Sequence, residues 1–300
     1  MLRNLMMTMA YDGLEFHGWQ FQPGLRTVQE VVEQALRRAL RHRVHVIGCS
    51  RTDSGVHAAG YVANVFTPSQ LRIDAAFRSV GSRLPKDVSL MDMREVPLTF
   101  HATRSAEAKL YRYRIHNDVG RPVEHLRQHA VYHHWQKLDI ELMRQAARYW
   151  VGRHDFTSFA SSGNDRFSNV RTVYRIDIYR EGLEIRVDIE GDGFLYKMVR
   201  NIVGTLCEFG RGRYPIERAP EILAAKDRTQ AGGTAPARGL SLQWVRYNMP
   251  ALPEPTPDML HDAAHMEETP KHRRANVDAE PLSTAPLPRG IEPETDEPCA

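Results

Sequence analysis

The stretch Cys49–Ala58, CSRTDSGVHA, follows Val44-His-Val-Ile47, a run rich in β-branched residues. That run predicts a strand, and Ser54-Gly55 favours a turn directly after it. Asp53 is thereby placed at the tip of the strand, two residues after the cation Arg51. A carboxylate that projects from a strand end into a cleft can act as a nucleophile or a general base. The alternative is an aspartate that caps the backbone of the turn.

Helix and strand patterns alternate on either side of this stretch. Thr27-Val-Gln-Glu30 has the form of a capping box, and apolar residues recur at helical spacing after it, which predicts a helix over residues 28–42. The other predicted elements are helices over 138–150 and 195–209 and strands over 44–49, 60–66, 107–116, 172–179, 183–189 and 240–247. This order predicts an α+β fold with a largely antiparallel sheet. We expect two sheet-bearing halves, residues 1–105 and 106–248, with a cleft between them.

Charge and proline content divide the chain near residue 249. Residues 250–300 hold ten prolines and few large apolar side chains, so we expect a disordered tail over residues 249–300. Residues 251–300 carry eleven acidic and four basic side chains, a net charge of −7, which leaves +10 on the first 250 residues. A basic excess of this size is typical of a body that binds a polyanion, although a solvated basic surface would show it too.

Cysteine usage and hydropathy exclude several classes of protein. The three cysteines, Cys49, Cys207 and Cys299, are widely spaced and form no Cys-x-x-Cys pair. This spacing argues against a disulfide framework or a zinc site and is typical of a reducing compartment. The chain shows no apolar run of membrane-spanning length and no signal-peptide pattern. We therefore expect a cytoplasmic protein without a membrane anchor or a metal.

Two further stretches hold candidate functional residues. Gly191–Gly204, GDGFLYKMVRNIVG, leads into a helix on which Tyr196 and Arg200 share a face. Such a helix start offers free N–H groups to phosphate, although a core helix with solvated basic residues is equally compatible. On the predicted strand over 107–116, Tyr111 and Tyr113 point to one face. They could stack nucleobases, or they could belong to the core.

These stretches and several others together resemble the tRNA pseudouridine synthase A family. The matching motifs run from about Met7 to Tyr247 in the expected order. They are Tyr11-Asp-Gly13, Phe16-His-Gly-Trp-Gln20, Thr27-Val-Gln29, Arg51-Thr-Asp53, Gly55-Val-His-Ala58, Phe100-His-Ala102, Tyr111-Arg-Tyr113, Gly152–Phe159, Arg171-Thr172, Gly193–Gly204 and Ala235–Leu240. One such motif would be weak evidence, but so many in order are highly specific.

The resemblance implies a pseudouridine-synthase fold, with two largely antiparallel sheet halves backed by helices around a central basic cleft. It implies an isomerase that converts uridine to pseudouridine at positions 38, 39 and 40 in the anticodon stem-loop of tRNA. Such an enzyme needs no cofactor or metal and works as a homodimer. The competing hypothesis is a non-catalytic RNA-binding protein with RRM-like sheets, which would require exposed aromatic residues on the sheet.

The resemblance also implies roles for individual residues. Asp53 would be the essential aspartate, Arg51 would help to displace the target base, Tyr111 would pack against the uracil, and Arg200 would pair with Asp53. Whether the carboxylate attacks C1′ or removes the C2′ proton stays open. The chain departs from the family pattern at position 50, where Ser50 replaces a usual Gly, and at Ser54, which replaces a usual Ala.

Overall fold

The computed structural model describes residues 2–122, 130–161 and 168–248. The strands are β1 (Arg3–Tyr11), β2 (Val46–Gly48), β3 (His57–Thr67), β4 (Val88–Val96), β5 (Ala106–His116), β6 (Tyr132–His133), β7 (Gly152–Asp155), β8 (Val170–Glu181), β9 (Glu184–Gly191) and β10 (Leu240–Tyr247). The helices are α1 (Val28–Leu40), α2 (Ile73–Gly81), α3 (Ile140–Arg148), α4 (Met198–Gly210) and α5 (Arg218–Ala225). The predicted tail lies outside the described residues.

The strands form one mixed sheet in the spatial order β4-β1-β3-β10-β5-β9-β8-β7, with β2 added on β3 and β6 on β5. The pairs β3–β10 and β5–β6 are parallel, and the other pairs are antiparallel. The predicted α+β class with a largely antiparallel sheet is therefore confirmed. The strands that precede residue 105 lie on one side and those that follow it on the other. They join into a continuous sheet where Ser241 and Leu242 of β10 pair with His57 and Ala58 of β3.

Strand β5 shows how the sheet separates its core face from its polar face. Tyr111 and Tyr113 point into the core and are 5% and 0% exposed. Arg112, on the opposite face, donates two hydrogen bonds to the Asp188 carboxylate at 2.8 and 2.7 Å. The predicted alternation along this strand is confirmed, but it places the tyrosine rings beneath the protein surface. An exposed aromatic row of the RRM type is therefore not formed by these two residues.

The start of helix α1 differs from the predicted capping box. The Thr27 side chain makes no capping hydrogen bond, and its hydroxyl is buried without a partner among the described residues. The reason is that the first N–H groups of the helix are already engaged. Val28 N donates to Gly18 O at 3.1 Å, and Gln29 N donates to Trp19 O at 3.0 Å. The 18–19 segment thus takes the place of a side-chain cap.

Helix α1 is one of several elements whose bounds the sequence predicted closely. It ends at Leu40 rather than at residue 42, because Arg41 adopts a left-handed conformation with φ 61°. The strands predicted over 172–179 and 183–189 are confirmed as β8 and β9, which form a hairpin with Gly182 in its turn at φ 60°. None of the described helices is both long and apolar enough to cross a membrane. The described ranges also contain no cluster of three or more His, Cys, Asp or Glu residues able to hold a metal ion.

Candidate active site

Asp53 lies in the loop between β2 and β3. Hydrogen bonds from neighbouring segments to Thr52 hold this loop in place. Trp19 N donates a hydrogen bond to Thr52 O at 3.1 Å, and the Tyr11 hydroxyl lies 2.8 Å from the Thr52 hydroxyl. Gly18 has φ 85°, and a Cβ at that position would lie 2.6 Å from Thr52 O. Only glycine allows this close approach without strain. The loop therefore holds Asp53 on a fixed backbone.

The residues just before Asp53 are held from the neighbouring strands. The Tyr61 hydroxyl donates a hydrogen bond to Ser50 O, and its ring stacks on Trp19 with the ring centroids 4.1 Å apart. On the other side, Lys109 Nζ of β5 donates to Cys49 O at 2.7 Å, and the lysine is 8% exposed. A charged donor buried against a backbone carbonyl makes a strong hydrogen bond. The loop is thus anchored to both β3 and β5.

The partner of Asp53 is Arg200 on the first turn of α4, 147 positions away in the sequence. Arg200 Nη1 donates to Asp53 Oδ2 at 2.6 Å, and the two side chains are 14% and 17% exposed. Arg200 Nε donates to Ala235 O at 2.8 Å, so the guanidinium is held at two points. No hydrogen bond from the described residues engages the other carboxylate oxygen, Oδ1. That oxygen is therefore available to a substrate atom.

Tyr111 of β5 lies beside this ion pair. Its hydroxyl donates to Ser50 Oγ at 3.3 Å, and its ring meets Phe194 edge-on with the centroids 5.3 Å apart. Burial raises the pKa of the Tyr111 phenol well above its ordinary range, and the nearby Asp53 carboxylate adds to the shift. The phenol is therefore protonated at neutral pH. It can support a ring or donate a hydrogen bond, but it is a poor general base.

These residues line an open pocket. Its lining consists of Ser50, Arg51, Thr52, Asp53, Val56, Tyr111, Phe194, Leu195, Lys197, Met198, Val199, Arg200 and Leu240. The structure thus brings the four site residues predicted from the sequence, namely Arg51, Asp53, Tyr111 and Arg200, to one pocket. Arg51 is exposed, and no ion pair holds it among the described residues.

Comparison with known proteins identifies the family to which this fold and pocket belong. A family model described as tRNA pseudouridine synthase matches residues 7–104 and 146–248. The chain belongs to the tRNA pseudouridine synthase family. It is 43% identical over 246 residues to "tRNA pseudouridine synthase A" of Acetivibrio thermocellus, a match that covers 82% of this chain and 100% of the relative.

Two further relatives agree with this assignment. "tRNA pseudouridine synthase A" of Ruminiclostridium cellulolyticum and "tRNA pseudouridine synthase A 2" of Clostridium perfringens are each 41% identical, over 247 and 246 residues, and each match covers 82% of this chain and 100% of the relative. A solved structure titled "Crystal Structure of a Cbf5-Nop10-Gar1 Complex" matches with a TM-score of 0.30 and 11% identity, over 79% of this chain and 57% of that chain. At that level the similarity supports no conclusion about this pseudouridine synthase.

Membership in the family confirms the prediction of an isomerase of the tRNA pseudouridine synthase class. Because the chain belongs to a family of isomerases, the competing hypothesis of a non-catalytic RNA-binding protein is wrong. Pseudouridine synthesis rearranges bonds without net oxidation or reduction.

The pseudouridine synthase pocket also contains contacts that the sequence patterns did not predict. Phe194 packs its edge against Tyr111, and the Ala235 carbonyl orients Arg200. Tyr196, which helical spacing placed on the face of Arg200, is 43% exposed and does not line the pocket. An aromatic residue directly after Gly-Asp-Gly was the only sequence signal for Phe194. A backbone carbonyl such as that of Ala235 leaves no signal of its own.

The two departures from the family pattern occupy different environments. Ser50 lines the pocket, and its hydroxyl accepts the hydrogen bond from Tyr111. Ser54 is exposed, and its hydroxyl donates to Phe16 O at 3.2 Å. The serine at position 50 therefore adds a polar group inside the pocket, whereas the serine at position 54 adds a loop contact outside it.

Proposed function

We propose that this protein isomerises uridine to pseudouridine at positions 38, 39 and 40 in the anticodon stem-loop of tRNA, with Asp53 as the catalytic carboxylate. The observation that supports this role best is the Asp53–Arg200 pair. It fixes one carboxylate oxygen at 2.6 Å in a residue that lines the pocket. Membership in the tRNA pseudouridine synthase family supports the reaction class, and the charge of +10 on residues 1–250 supports an RNA substrate.

The reaction breaks the bond between N1 and C1′, turns the uracil, and joins C5 to C1′. Asp53 Oδ1 either attacks C1′ directly or removes the C2′ proton. In both routes the carboxylate must be ionised and oriented towards the ribose. Arg200 holds the carboxylate in one orientation through a charge-assisted hydrogen bond in a partly buried site. The hydrogen at C5 leaves as a proton after the new bond forms. Its release to water provides a direct measure of turnover.

Tyr111 is proposed to hold the detached uracil while it turns. Its ring lines the pocket together with Phe194, so the two aromatic side chains form an apolar support next to the carboxylate. Base–aromatic contact is tolerant of rotation because the ring face offers no directional hydrogen bonds. The protonated phenol could also donate a hydrogen bond to a uracil oxygen. Its primary role would therefore be to position the base.

Arg51 is proposed to occupy the space that the target base leaves in the RNA. A base inside a stem or at its end is reached only after it has been flipped out of the stack. Arg51 is exposed at the rim of the pocket and free of ion-pair partners among the described residues, so its guanidinium can follow the backbone or the vacated stack. Phosphate contacts from the basic body would supply most of the affinity.

We further propose the organisation that accompanies this activity. Residues 1–105 and 106–248 would be the two halves of one catalytic domain around a basic cleft, with residues 249–300 as a tail outside it. The protein would act as a cytoplasmic homodimer without a cofactor or metal. Light scattering coupled to gel filtration measures the oligomeric state. Turnover in the presence of a chelator tests the absence of a metal requirement.

The decisive experiment follows tritium release from an unmodified tRNA transcript whose uridines carry tritium at C5. The wild-type protein should release tritium, whereas Asp53→Asn should release none while it still binds tRNA. Asp92→Asn is a matched control, because it makes the same chemical change on the edge strand β4. A folded Asp53→Asn protein with normal turnover would refute the assignment of Asp53. Absence of pseudouridine with wild-type protein would refute the activity itself.

A further inference from the structure

Asn201, the residue after the arginine of the ion pair, is a fully buried hydrogen-bonding centre. Its Nδ2 donates to Phe159 O at 2.8 Å and to Ser161 Oγ at 3.3 Å. Its Oδ1 accepts from Thr234 Oγ1 at 2.6 Å and from Arg228 Nη2 at 3.0 Å. The amide thus makes the four hydrogen bonds that its two donors and two lone pairs allow. It ties α4 to three segments that are distant in sequence.

One of these segments, residues 231–235, carries the backbone group that holds the catalytic arginine. Ala235 N donates to Arg200 O at 3.1 Å, and Ala235 O accepts from Arg200 Nε at 2.8 Å. The segment lies so close to α4 that a Cβ on Gly204 would come within 1.7 Å of Gly233 O. Thr234 stands immediately before Ala235 and links this segment to Asn201.

We infer that Asn201 and Thr234 are positioning residues for the isomerisation. This inference rests on the proposed function of Asp53 and Arg200. The Asn201–Thr234 hydrogen bond holds the 231–235 segment in register with α4, so that the Ala235 carbonyl stays opposite Arg200 Nε. With Nε engaged, the guanidinium plane is set and Nη1 points at Asp53. Without that restraint, a long arginine side chain samples several rotamers and spends less time in the paired one.

The position of Thr234 makes the inference testable without a loss of fold. Thr234 is exposed, so replacement of its hydroxyl by a methyl group leaves no buried cavity. The hydroxyl also accepts a hydrogen bond from Arg228 Nη2 at 3.1 Å, but that guanidinium would keep its contact with Asn201 Oδ1. The two hydrogen bonds that Asn201 donates would be untouched. We therefore expect the substitution to disturb the orientation of the Arg200 guanidinium towards Asp53 and to change the global stability little.

The test compares Thr234→Val, which removes the hydroxyl and keeps the shape, with Thr234→Ser, which restores a hydroxyl. Thr229→Val is the matched control, because Thr229 Oγ1 makes a hydrogen bond of 2.7 Å to Asp227 in the same region but has no link to Asn201. Each protein is assayed for kcat and KM by tritium release from C5-tritiated tRNA, and for melting temperature.

We expect Thr234→Val to lower kcat about fivefold with KM for tRNA and melting temperature close to wild type, as the loss of one hydrogen bond that orients the catalytic pair would produce. Thr234→Ser should recover most of kcat, and Thr229→Val should match wild type. An active wild type whose Thr234→Val variant has an unchanged kcat would overturn this inference alone. Failure of Ser to rescue, or an equal loss in Thr229→Val, would also overturn it. An inactive wild type would overturn the proposed function, and this inference with it.

Discussion

The ion pair of the candidate active site predicts the effect of the change Arg200→Met. Methionine keeps an unbranched apolar stem and removes the guanidinium, so both the 2.6 Å contact to Asp53 and the 2.8 Å contact to Ala235 are lost. A net hydrogen bond to a charged group contributes about 1.5–3 kcal/mol. The low exposure of the two side chains, 14% and 17%, means that solvent screens this contact only weakly.

If that contribution is fully used in the transition state, kcat falls about 10- to 150-fold, since each ~1.4 kcal/mol is a factor of ten. Tritium release from C5-labelled tRNA, measured in a single turnover with excess protein, reports the chemical step directly. Filter binding on the same proteins should show nearly unchanged tRNA affinity. The kcat of Arg200→Lys should lie between those of the wild type and Arg200→Met, because lysine keeps the charge but lacks the geometry to hold Asp53 and Ala235 together.

The double variant Asp53→Asn, Arg200→Met provides the stricter check. Once Asp53 is absent, Arg200 has no catalytic carboxylate to orient, so the double variant should be little worse than Asp53→Asn alone. A folded Arg200→Met protein with kcat close to wild type would refute the reasoning. Losses that multiply fully in the double variant would refute it too, because they would show that the two residues act independently.

Four further outcomes are expected. Tyr111→Phe should retain substantial turnover and Tyr111→Ala should lose it; near-normal turnover of the Ala variant would show that the ring does not position the base. Truncation after Asn248 should leave tRNA modification largely intact, and loss of activity in a folded truncation would assign the tail a role. Affinity for tRNA should fall steeply with salt on a log–log plot, whereas a flat plot would contradict phosphate-dominated binding. Burial raises the pKa of the Cys49 thiol from 9.0 to about 11. The unfolded chain therefore loses this proton at a lower pH than the folded protein does. The free energy of unfolding should accordingly fall as the pH rises from 9.0 to about 11. A Cys49→Ala variant should show a shallower fall in alkaline denaturation curves.

The sequence predicted those elements whose local pattern agrees with their packing. Strand β10 was predicted at its observed bounds, and α1 and β5 lie within two residues of theirs. Strands β1 and β4 were not predicted, although each has nine residues. The methionine-rich β1 is buried on both faces for much of its length, so its sequence, RNLMMTMAY, lacks the alternation that marks a half-buried strand. The predicted capping box at Thr27 is not formed, because the backbone carbonyls of Gly18 and Trp19 accept the first N–H groups of the helix.

In the candidate site, too, local sequence patterns predicted some features and could not predict others. The residues themselves placed Asp53 at a strand tip, because the preceding β-branched run and the Ser54-Gly55 turn are local signals. The pairing of Asp53 with Arg200 came from the family resemblance, since no local pattern links positions 147 residues apart. The Ala235 carbonyl and the Asn201–Thr234 contact were unforeseen, because they depend on a close approach that only the folded chain creates.

The position of β10 has a consequence for the synthesis of this protein on the ribosome. β10 is the last strand of the described chain, yet it lies in the centre of the sheet, between β3 and β5. A nascent chain grows at about 5–20 residues per second, so the 172 residues between Thr67 and Leu240 take on the order of ten seconds or longer to emerge. Until β10 is made, β3 near His57 and Ala58, and β5 once it has emerged, present unpaired N–H and C=O groups at the place that β10 will fill. A translation product that stops before Leu240 would keep these groups unpaired, and we expect such products to aggregate or to be degraded.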